Sequence, residues 1–211
     1  MYALAQKIIF ILGPVLLLTA DLLAAFSGED YHFRSGFILW LALLCFLSIL
    51  FGLKRLTVEP YRKIAMAGVV SGSIGLMAAA CITALYRVEA VLISGLDAKT
   101  FSVVEAVLLD SPIIATVFPF SPLFPVGLLL LSFAVWRSKT VGMWFALSIA
   151  LGALLFPEAR MGGMIAIQMA SGILLLIGLS GAAFQINNSD KKHLETDNIN
   201  KDVTVPEDKS K

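Results

Sequence analysis

With 211 residues, 58% of them hydrophobic and 15% charged, and a mean hydropathy of +0.87, the chain is too apolar for an ordinary soluble domain and too short for more than one helical bundle. A net charge of +1, with the basic residues dispersed along loops, excludes the electrostatic footprint of a nucleic-acid-binding protein. The two cysteines, Cys45 and Cys81, lie inside apolar runs and form no C-x-x-C pair, which excludes a redox motif and a zinc ribbon.

A bilayer core of about 30 Å is crossed by roughly 20 apolar residues in helical form. Six stretches fit, at about residues 8–26, 36–53, 64–86, 112–136, 141–156 and 161–186. They predict an all-α polytopic bundle occupying residues 1–186. The first span contains Gly13-Pro14 and Asp21, the only ionisable side chain well inside a predicted span, roughly 7 Å from its outer end at helical rise. Pro14 and Asp21 are two helical turns apart, so the kinked and charged sides of this helix coincide and should face the bundle. A carboxylate so placed is either hydrated near the interface or linked to a proton or ligand. Lys7, the apolar run after it and the small residues Ala24, Ala25 and Ser27 also fit a cleaved signal peptide, which would leave five spans.

The loop after the first span holds Glu29, Asp30, His32 and Arg34, and the last outer loop holds Glu158 and Arg160. These acids, imidazole and guanidinium groups could meet on the outer face, yet no H-E-x-x-H spacing or nucleophile with a base partner is present, so neither a metal nor a catalytic residue is assigned. In the third span Gly68 and Gly72 form G-x-x-x-G, with Gly75 and Ala79 extending a small-residue face along which backbones can approach. That predicts a centrally placed helix, with Gly162, Ala166 and Ala170 of the sixth span as its partner stripe. Packing within a monomer, or at most a weak homo-oligomer, accounts for the motif.

Between residues 87 and 111, Ser102-Val-Val-Glu105 has capping-box spacing, and Phe101, Val104 and Leu108 share a face. A short helix lying in the outer interface is expected there. The fourth span carries Pro119, Pro122 and Pro125, each of which removes a backbone donor, so the span should be bent or broken. The fifth span is short, and Gln168 in the sixth should bond between helices or contact a ligand. Residues 187–211 are polar enough to predict a disordered tail.

Cytoplasmic loops carry the excess of Lys and Arg. With the N-terminus inside, twelve fall on the cytoplasmic side and four (Arg34, Arg87, Lys99 and Arg160) on the other, giving cytoplasmic N- and C-termini.

The segment Leu123-Phe-Pro-Val-Gly-Leu-Leu-Leu-Leu, followed by Trp136-Arg137, Gly152-Ala-Leu-Leu-Phe-Pro157 and Gly162-Gly163, resembles the second half of small polytopic bacterial membrane proteins of uncharacterised families. The resemblance covers about 60 residues of the chain and implies a multi-pass inner-membrane bundle of six spans, without implying an activity. The expected function is non-catalytic and needs no cofactor: binding of a membrane lipid, a small ligand or a membrane-protein partner within the bilayer. A proton-linked transporter using Asp21 and the proline-rich fourth span is the first alternative, because interrupted spans in corresponding positions of two halves mark midplane sites. A membrane-embedded hydrolase built on the outer-face acids is the second.

Overall fold

The structure is a computed structural model that describes residues 2–26, 31–93, 100, 116–161 and 164–203. Among the described residues it has the helices α1 (Tyr2–Phe26), α2 (Tyr31–Arg55), α3 (Arg62–Ile93), α4 (Leu123–Arg137), α5 (Met143–Met161) and α6 (Ile165–Val203). A 3₁₀ turn at Phe118–Phe120 leads into α4, and no strand occurs among the described residues. Five segments are long and apolar enough to cross a membrane: Leu4–Leu23, Gly36–Arg55, Arg62–Leu85, Phe118–Arg137 and Ile165–Gln185. The apolar part of α5, Met143–Pro157, is shorter. The interfacial helix expected near residues 101–111 lies outside the described residues.

The outward face of the bundle is as apolar as its interior. On α3, Ala65, Val69 and Leu76 are buried, while Met66, Val70, Ile74 and Met77 are exposed at helical spacing. A helix hydrophobic on both sides suits a membrane, because hydrocarbon rather than water is the favourable neighbour for its outer stripe. Helices are the form such segments take, since each backbone N–H and C=O is then satisfied within its own segment.

The helices close a ring in chain order: each packs on the next, and α6 returns to α1, while α2 also reaches α4. Neighbours run antiparallel. Gly13 of α1 lies against Ile49 and Cys45 of α2, whereas Gly52 of α2 lies against Gln6 and Phe10 of α1. Gly152 faces Leu175, and Gly178 faces Ile149, across the α5–α6 pair. The start of α1 and the end of the apolar part of α6 therefore belong to one end of the bundle, the termini end. Two buried hydroxyls tie the later helices together: Ser132 Oγ on α4 donates to Ala146 O on α5 at 2.6 Å, and Ser171 Oγ on α6 donates to Gly152 O on α5 at 2.9 Å.

The small-residue face of α3 is used, with a different partner from the one expected. A Cβ on Gly68 would stand 3.0 Å from Gly127 O, one on Gly72 would stand 3.5 Å from Gly127 Cα, and one on Gly75 would strike the backbone of Leu123 and Phe124. The stripe thus seats α4, while Ala166 and Ala170 on α6 are exposed. Helix α3 is a member of the ring rather than its centre, because it packs chiefly on α2 and α4, with Gly72 also meeting Leu50 of α2, and its Met66–Met77 stripe faces outward.

Helix α1 is continuous through Pro14. Pro119 sits in the 3₁₀ turn, Pro122 is the N-cap of α4 and Pro125 lies in its first turn. First-turn positions have no intrahelical acceptor for their N–H, so proline's missing donor forfeits little there. Within the expected fourth span the three prolines accompany an interruption of the α-helix, since helical residues 116–117 pass into the 3₁₀ turn at Phe118–Phe120 and α4 begins at Leu123, after Pro122. Helical backbone in α6 continues past Ile186 to Val203, where composition alone gives a disordered tail. Propagation from an already formed, packed helix avoids the nucleation cost that an isolated polar segment would meet.

Candidate functional site

Where α4 begins, the ring leaves a crevice of about 270 Å³ between α2, α3, α4 and α5. Leu39 and Leu43 come from α2, Ala79, Ile82 and Thr83 from α3, Phe118, Ser121, Pro122 and Pro125 from the start of α4, and Phe156 and Pro157 from the end of α5. Local chemistry produces the gap. The proline-rich turn delays α4 until Leu123, and the pairing of Phe124 with Gly75 then draws α4 onto α3 just below it. Beneath the crevice Phe124 is fully buried, its ring edge-on to Phe46 at 5.4 Å and to Phe156 at 5.2 Å between centroids.

The crevice is chemically bland. Its two hydroxyls turn back on their own backbone: Thr83 Oγ1 donates to Ala79 O and Ser121 Oγ to Phe118 O, each at 2.8 Å. Among the described residues, no charged residue lines it. The walls described are of the kind that recognises shape and apolarity.

At the opposite end, about 30 Å away along α3 at helical rise, lies an open cavity of about 1000 Å³. It is walled by Gln6 and Ile9 of α1, Ser48, Phe51, Lys54 and Arg55 of α2, Arg62 of α3, and Thr57, Glu59 and Thr140 of the adjoining loops. The α2–α3 loop is pinned to the α4–α5 loop by Val58 N–H, which donates to Ser138 Oγ at 3.1 Å. The guanidinium of Arg137 stacks over the Tyr61 ring, 5.5 Å from its centroid. Lys139 completes the α4–α5 turn in the left-handed region at φ 54°.

Asp21 is buried, 1% exposed, on the side of α1 that also buries Leu17 and Ala20. It lines neither of these two cavities. Gln168 is half-buried on α6, which packs on α1 through Gly172 set against Leu18. Pro14 is buried in α1, while Pro122 and Pro125 line the crevice. Among the outer-face residues, His32 and Arg34 fall in the first turn of α2, and Glu158 and Arg160 in the last turns of α5, helices rather than the loops the sequence suggested. Glu29 and Asp30 lie outside the described residues. Among the described residues no three His, Cys, Asp or Glu side chains come together as a metal site. No family model, curated protein or solved structure matches the chain. Its site is therefore read from its own geometry.

Sequence reading missed the aliphatic and aromatic walls of the crevice. Leu39, Leu43, Ile82 and Phe156 are the residue types that lipid also selects, so nothing in their identity separates a wall from a membrane-facing surface. The one usable signal is the Pro119, Pro122 and Pro125 series, which marks where a helix must start late.

Proposed function

We propose that the protein is a multi-pass inner-membrane bundle of six spans, with cytoplasmic termini, that holds an apolar ligand such as a lipid chain in the crevice at the start of α4. The carrying observation is the crevice itself: apolar walls from four helices, with both hydroxyls already bonded to backbone. The orientation is supported by Lys7, Lys54, Arg55, Arg62, Lys63, Arg137 and Lys139, which gather at the termini end. No reaction is assigned to this site.

Filling the crevice tests the reading. Ala79 is half-buried at its wall, so Ala79→Trp should occupy the space and cut the apolar ligand retained through purification about tenfold, equivalent to ~1.4 kcal/mol. The readout is native mass spectrometry of wild type and variant in the same detergent. An unchanged ligand complement in an equally stable variant would sink the proposal.

A second reading, proton-linked transport, is favoured by the burial of Asp21 inside the bundle rather than toward its outer surface. In this reading the carboxyl gains and loses a proton during the cycle. Infrared titration should then show a carboxyl band that changes with pH in wild type and is missing in Asp21→Asn. A band that does not move across the physiological range removes this role from Asp21.

A further inference from the structure

The cavity at the termini end has no part in the apolar-ligand reading, and its lining has a chemistry of its own. We propose that it binds the phosphate group of an anionic phospholipid headgroup. Lys54, Arg55 and Arg62 line it together with one carboxylate among the described residues, Glu59. That carboxylate offsets little of the charge: Arg62 approaches it at 3.9 Å with both side chains about 70% exposed, a weak and well-hydrated pair. Gln6, Ser48, Thr57 and Thr140 add polar groups to the rim.

Two features select a lipid over a free anion. First, Ile9 and Phe51 continue the cavity wall downward, and Phe51 is 51% exposed on the apolar outside of α2, so a headgroup held by the cations would have its chains running along that stripe. Second, the cavity lies at the ends of the membrane-length segments, the level at which headgroups sit and at which Lys and Arg meet anionic lipid. The loop between α2 and α3 is braced by the bond from Val58 to Ser138 and the stacking of Arg137 on Tyr61, so the cations at the helix ends on either side of it are held in place. A volume of about 1000 Å³ admits a headgroup together with the first part of its chains.

The experiment uses the full chain in detergent, titrated separately with phosphatidylglycerol, phosphatidylcholine and inorganic phosphate and followed by native mass spectrometry. Phosphatidylglycerol should bind in preference to phosphatidylcholine. The double variant Lys54→Gln/Arg62→Gln should weaken phosphatidylglycerol about 30-fold and leave phosphatidylcholine where it was, while each single variant weakens it about fivefold. Lys63→Gln, exposed and outside the cavity, should change neither. Helical content and melting temperature in phosphatidylcholine, unchanged in the single variants, separate lost binding from lost folding. Undiminished phosphatidylglycerol binding in the variants overturns the site. An equal loss in Lys63→Gln would mean diffuse surface charge instead, and displacement of the lipid by an equal concentration of inorganic phosphate would make the ligand a free anion; either overturns the proposal. Ala79→Trp, at the other end of the bundle, should leave this binding intact, so failure of the crevice reading and failure of this one are told apart.

Discussion

Gly75→Leu and Gly127→Leu should each force α3 and α4 apart and produce the largest loss of stability of any single substitution in the bundle. At most core positions an added side chain is accommodated by a neighbour's rotamer. Here the atoms in the way are backbone: Leu123 and Phe124 opposite Gly75, and the N and Cα of Gly72 with Gly68 O opposite Gly127. Backbone within a packed helix can yield only by moving the helix. The loss should therefore exceed the roughly 1–3 kcal/mol of ordinary overpacking. It also propagates, because α4 holds α5 through Ser132 and meets α2 through Phe124. In a bilayer the close backbone approach is itself the attraction, since lipid tails are as apolar as the helix faces they would replace. Gly142→Ala is the control: its nearest atoms, on the Phe145 ring, begin at 3.5 Å, ordinary contact. Thermal melts in one detergent, followed by circular dichroism, should show both leucine variants unfolding far below wild type and Gly142→Ala unfolding with it. A Gly127→Leu protein that melts like wild type would contradict the α3–α4 interface.

The helices were legible in the sequence because length and apolarity are the very properties the bilayer selects, and Gly68, Gly72 and Gly75 announced a close contact. Their partner was not legible. The Gly162, Ala166 and Ala170 stripe meets the i, i+4 spacing rule and Gly127 does not, and spacing carries no information about which two faces meet. Gly127 was hidden in Pro125-Val-Gly-Leu-Leu, where a single glycine has no periodic companion. The prolines mark an interruption at 118–122, but where α4 restarts at Leu123 is not legible within a continuous apolar run, because a proline is tolerated in a first turn and disruptive in an interior. The burial of Asp21 is legible from chemistry, since a charge in an apolar run is conspicuous and is expected to face the bundle. The crevice was invisible for the converse reason, as its walls use the residues that cover the rest of the protein. The basic cavity lay between: each cation could be counted, but its gathering with Gln6 and Phe51 depends on how the ends of α1 and α2 meet.

Phe124→Ala links stability to the proposed ligand. The ring is fully buried and edge-on to Phe46 of α2 and Phe156 of α5, while the Phe124 backbone packs on Gly75 of α3, so removal of the ring leaves a void beneath the crevice walled by Pro125 and Phe156. In a soluble core such a change costs about 3–5 kcal/mol. In a bilayer the transfer part of that figure largely disappears, because lipid is an equally apolar reference, and lost packing and ring contacts remain. About 2–3 kcal/mol is expected, with Phe124→Leu nearer 1 kcal/mol because most of the volume is kept. The consequence for binding has the opposite sign. A crevice deepened by the missing ring should admit a bulkier apolar ligand than wild type holds, and that ligand should restore part of the lost stability, because occupancy of the folded state raises the melting temperature. A destabilised Phe124→Ala protein that no added lipid rescues would separate the aromatic cluster from the crevice, whereas rescue by branched or ring-containing lipids would tie both to one cavity whose floor is set by a single phenylalanine.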